Sequence, residues 1–142
     1  MRKLSEALSE LADRVKRVED SAAAVEERNR ARLQARRNEL EAAIEQEKIE
    51  LAAAATLARE DARGWWSEMK GSIERQIDEM RSDLENWQAE RKGKNAERAA
   101  ENAEEDAMVA VTLASYCLDA AEWAVVRAEL ARGEAEDLAA RN

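Results

Sequence analysis

At 142 residues, 39% charged and 45% apolar, the chain has room for one domain and one modest core. With no proline, histidine or phenylalanine and only four glycines, it lacks the residues of a β-rich fold, of histidine-based acid–base catalysis and of the Glu-x-x-His di-iron bundle. The formal charge of −9 is concentrated at the end, where residues 96–142 hold 4 basic and 11 acidic side chains; a free acidic surface disfavours nonspecific DNA and anionic membranes.

A first helix is expected from about residue 2 to residue 63. Leu4, Leu8, Leu11, Val15, Val18, Ala22 and Val25 step by four and three, the seam of a left-handed coiled coil. Beyond Glu26 the pattern thins, and Leu33 arrives one residue late, which reads as a stutter in the supercoil. Gly64, after Arg63 and before Trp65 and Trp66, is the best candidate to end this helix in the left-handed conformation. A second helix, residues 65–92, follows with Trp66, Met69, Ile73, Ile77, Met80, Leu84 and Trp87 on one stripe. Gly93 then offers a second break, with Asn95 as N-cap of a third helix over residues 95–140.

That last helix organises the chain. Ala107, Ala110, Ala114, Cys117, Ala121, Ala124, Ala128 and Ala131 form an unbroken heptad seam of small residues, continued by Ala135 and Leu138 and backwards by Ala103, Ala100 and Ala96. Small seam residues let two helices approach near the short end of the usual ~8–10 Å separation. Val111, Leu118 and Val125 flank the seam on one side. Val109, Leu113, Tyr116, Trp123 and Leu130 flank it on the other, so the helix is expected to be buried on more than one side, with Cys117 in the core. The fold class expected is therefore all-α: one elongated antiparallel coiled-coil domain over residues 1–142. It is either three helices or a two-helix hairpin turning at Gly64, which would lay residues 107–125 against residues 3–21. Either version leaves an apolar overhang, so a homo-oligomer, foremost a dimer, is expected.

Few groupings suggest chemistry. Arg28, Arg32 and Arg36 share a helix face at i, i+4 spacing, with Arg30 and Arg37 beside them, and form a candidate anion-contacting patch. The alternative is a solvated face paired with nearby glutamates, favoured because no aromatic residue interleaves the arginines. Glu101, Glu104, Glu105 and Asp106 could offer oxygens to a hard cation, but read better as a helix N-terminal turn suited to the macrodipole. The four tryptophans sit on seams or at the turn and read as packing residues. No phosphate loop, nucleophile elbow or catalytic triad is legible. The expectation is a non-enzyme with no cofactor and no metal. The N-terminus lacks a secretion signal, and the longest uncharged run, residues 107–118, is too short to span a bilayer, so a cytoplasmic protein is expected.

The stretch over residues 103–139, together with Trp65–Trp66 and the charged helix after them, resembles a group of actinobacterial Ala/Glu-rich, long-helix proteins without an established function. The resemblance covers about residues 60–140, with Gly71 and Gly93–Lys94 as departures. It implies a cytoplasmic helical protein and brings no catalytic residue. The function expected is a rigid oligomeric coiled-coil scaffold, set against two others: a phasin-like or stress-protective coat on lipid or polymer granules, and a nucleic-acid-binding rod using residues 28–37.

Overall fold

The computed structural model of the chain describes residues 3–90 and 94–141, and the side chains of 3–86 and 96–141. Helix accounts for 94% of it, in four helices with no strand among the described residues: α1 (Leu4–Glu26), α2 (Arg30–Ala55), α3 (Glu60–Glu90) and α4 (Lys94–Arg141). Internal contacts divide the chain into two units, Ser21–Ala100, and Met1–Asp20 with Glu101–Asn142.

The helix expected over residues 2–63 is interrupted twice, and Gly64 ends nothing. The first interruption is a paired cap built without glycine or proline. The amide of Asn29 donates to the carbonyl of Ala24 at 3.0 Å and that of Arg28 to Val25 at 3.1 Å, the two bonds of a Schellman motif. Arg28 takes the left-handed position with φ 53°. Asn29 then changes role and starts α2. Its backbone is extended, and its side-chain oxygen accepts from the Arg32 amide at 3.2 Å, relieving one of the orphan donors of a helix start. Glu27 holds Arg32 across the joint at 3.1 Å. Ala24, the one residue buried outright among those described, lies at this joint. The late Leu33 therefore marks a helix break rather than a stutter within one helix.

The second interruption lies eight residues before Gly64. At the end of α2 the amides of Thr56, Leu57 and Ala58 donate to the carbonyls of Ala53, Ala54 and Ala55, a tightening to i→i+3 bonds that ends the helix. Arg63, in the first turns of α3, reaches back to the carbonyls of Ala58 at 3.0 Å and Thr56 at 3.3 Å. A guanidinium there satisfies carbonyls the helix leaves unpaired. With that turn complete, Gly64 is carried inside α3, where an added Cβ would meet nothing within 4 Å. The expected break at Gly93 lies outside the described residues.

Within Ser21–Ala100, α2 and α3 pack as an antiparallel pair. The order of their ion pairs shows the direction, since Lys48 faces Asp78 at 3.9 Å and Glu45 faces Arg81 at 3.5 Å. Leu33 and Ile44 of α2 and Ile77, Met80 and Leu84 of α3 are half-buried, whereas Trp66, Met69 and Ile73, nearer the start of the expected stripe, remain exposed. The contact is thus narrow and its margin is electrostatic. Glu45 also takes a hydrogen bond from Lys48 at 3.2 Å. That bond, the Lys48 charge and then Arg81 hold its carboxyl below the usual 4.5.

Candidate interaction surface

Alanine, glutamate, arginine and leucine are the strongest helix formers, and their dominance in α4 sustains 48 residues of helix, about 72 Å at 1.5 Å per residue. Glu97 in its first turn and Arg141 in its last suit the macrodipole. Thr112, β-branched and therefore a weaker helix former, returns its hydroxyl to the Met108 carbonyl at 2.9 Å.

Along this helix the expected burial is absent. Ala107, Ala110, Ala114, Cys117, Ala121, Ala124, Ala128 and Ala131 are all exposed, as are Val109, Leu113, Tyr116, Trp123 and Leu130. Cys117 is a free, exposed thiol rather than a core residue. Leu118 and Val125 alone among the flanking apolar residues are half-buried. Arg127 lies 6.0 Å from the Trp123 ring centroid, an exposed cation–π contact worth about 0.5–1 kcal/mol that leaves the ring two-thirds in solvent. In the segment expected opposite, Val15 and Val18 are exposed too, while Leu8 and Leu11 are half-buried.

Within Ser21–Ala100 the described packing is one narrow helix pair, with Ala24 the one residue buried outright among those described.

Arg28 sits in the αL position before α2 begins, so Arg28, Arg32 and Arg36 do not form one helical face. Arg32 is bound to Glu27, and Arg36 to Glu39 at 2.9 Å. Glu101, Glu104 and Glu105 share one face of α4 and Asp106 turns away from it; no group of three side chains placed to hold a metal occurs among the described residues. Trp65 and Trp66 meet edge to face at 4.5 Å, both half in solvent within α3; the side chain of Trp87 lies outside the described residues. The sequence reading missed the double cap at Asn29, the reach of Arg63 and the Glu45–Arg81 link. Only the first had a signal, an N-cap residue beside a phase slip.

By length and composition α4 can also cross a membrane, which the 12-residue uncharged run had seemed to preclude. Its most apolar stretch, residues 109–126, carries Asp119 and Glu122. An aspartate at the centre of a spanning helix costs about 2.5–3.5 kcal/mol, and a leucine or valine returns only about 0.3–0.6. The two acids therefore oppose insertion, and their position on the polar rows opposes lying on an anionic surface. No protein family, curated protein or solved structure matches the chain.

Proposed function

We propose that this chain is a non-enzymatic, cytoplasmic structural protein that works as a coiled-coil oligomer, its long apolar helices completing their burial against another chain. The observation that carries this reading is the apolar face of α4, which leaves Val109, Val111, Leu113, Tyr116, Trp123 and Leu130 in solvent. Large contiguous apolar surface on a water-soluble chain marks a binding face. A scaffold needs rigid elements and repeated contact surfaces, and α4 offers both.

Light scattering after size exclusion, over a concentration series with small-angle scattering, tests it. The expected result is a stable species of at least twice the chain mass; a monomer at every concentration overturns it. The exposed apolar window of α4 favours one second reading, a coat on uncharged lipid or polymer surfaces. That reading predicts a monomer whose Trp123 fluorescence shifts blue on adding phosphatidylcholine vesicles, and no shift in that assay would dispose of it.

A further inference from the structure

The α1–α2 joint is closed by few interactions, and the sequence on either side of it suits a helix that does not stop. We propose that the joint is a two-state hinge. The double cap of the structure is its ground state, and it exchanges with an unbroken helix over Leu4–Ala55.

The first support is phase. Each residue of an ideal helix advances 100°. Counted straight through the joint, Leu4, Leu8, Leu11, Val15, Val18, Val25, Leu33, Leu40, Ile44 and Leu51 all fall within one sector about 100° wide. Ile49 alone of the large aliphatic residues in this span lies outside it. The step from Val25 to Leu33 spoils a heptad count but keeps this stripe. A permanent break would leave the phase of α2 free of that of α1. Instead the α2 face that is half-buried at Leu33 and Ile44 is the one that continues the α1 seam.

The second support is the balance of bonds. In the double cap Arg28 holds φ 53°, a conformation that a Cβ disfavours. The amides of Arg30 and Ala31 open α2 and, as at any helix start, have no carbonyl one turn below. The unbroken helix returns Arg28 to ordinary angles and gives those amides the carbonyls of Glu26 and Glu27. The amides of Arg28 and Asn29, now on Val25 and Ala24, simply exchange acceptors. Favouring the cap are the bond from the Arg32 amide to the Asn29 side chain at 3.2 Å, the burial of Ala24 and the Glu27–Arg32 ion pair at 3.1 Å, half in solvent on both sides. Residues 24–33 include no glycine or proline, so the backbone is free to close into helix.

Only in the straight state is the stripe continuous past Asn29. A second chain lying along it, as the oligomer reading has it, therefore selects that state. The hinge itself does not rest on that reading.

The test uses the full chain with Cys117→Ser and spin labels on Ala22→Cys and Ala42→Cys, both exposed positions. Pulsed electron spin resonance in excess unlabelled chain reads distances within one molecule. An unbroken helix places the two positions about 30 Å apart along its axis, and a broken one brings them closer. Both distances are expected. Asn29→Ala, which removes the cap bond, should raise the ratio of long to short about fivefold. Arg28→Gly, which relieves the left-handed residue, should lower it about tenfold. The two variants act in opposite directions, so a folding failure in one leaves the other to decide. A single distance in all the chains, or a ratio that does not move in these directions, overturns the hinge.

Discussion

Replacing Arg28 with glycine distinguishes a capped joint from a continuous helix by the sign of the change. In the structure Arg28 holds φ 53°, a conformation costing a non-glycine residue about 1–2 kcal/mol. Glycine removes that cost but loses more freedom on folding, by about 0.5–1 kcal/mol, so a net gain of about 0.5–1 kcal/mol is expected. Were residues 4–55 one helix, as the sequence pattern suggests, the same change would destabilise it by about 1 kcal/mol. Asn29→Ala provides the opposite pair. It removes the bond accepted from the Arg32 amide and costs about 1 kcal/mol as a lost N-cap, whereas inside a continuous helix alanine would be stabilising. Urea unfolding followed by circular dichroism measures both. Amide exchange at Asn29, whose N–H is held by Ala24, places the effect at the joint. Destabilisation by Arg28→Gly together with stabilisation by Asn29→Ala would refute the double cap.

Three further outcomes follow from the same geometry. Gly64→Ala, with open space for its Cβ inside α3, should stabilise by about 1 kcal/mol in the same unfolding assay; at a true helix-ending turn it would be destabilising. Arg63→Met should cost about 0.5–1.5 kcal/mol by releasing the carbonyls of Thr56 and Ala58, with faster exchange confined to the α2–α3 turn. The Glu45 carboxyl is held below 4.5 first by its hydrogen bond from Lys48. A lowered folded pKa contributes stability that is present above the unfolded value and lost as pH falls through the folded one. Protonating Glu45 below 4.5 should therefore weaken first its bond to Lys48 within α2 and, to a smaller degree, its pairing with Arg81 of α3. A carboxyl NMR titration should show Lys48→Met returning Glu45 toward its usual value further than Arg81→Met does.

Helix was legible in the sequence because it is local: alanine, glutamate and leucine in the right period dictate it wherever they occur. The ends of helices were less so. Glycine is the usual sign of a helix end, and the structure makes its first joint from Arg28, a good helix former, and Asn29, whose preference for caps is the one signal there. It makes its second from i→i+3 bonds at Thr56 through Ala58, which no residue type announces. The seam of α4 was legible as a pattern, but a pattern says that a face is apolar, not which chain covers it. Arg28, Arg32 and Arg36 shared a face only while the helix through them was assumed unbroken.

The same balance of local and distant forces makes a concentration-dependent melt informative. Alanine needs little help to be helical, so α4 forms without a core, yet each alanine buries too little area to hold a tertiary fold. In the oligomer proposed above, stability beyond isolated helices comes with the second chain and obeys mass action. For a chain that folds as a dimer, a hundredfold rise in concentration adds about 2.7 kcal/mol. At about 2.1 cal/mol/K per residue, unfolding two chains of 142 residues releases roughly 0.6 kcal/mol/K, so the midpoint should rise by roughly 4–5 °C. Circular dichroism at 222 nm over that range measures the shift. A midpoint independent of concentration would mean that the helices gain nothing from one another, and the uncovered face of α4 would need a partner other than this chain.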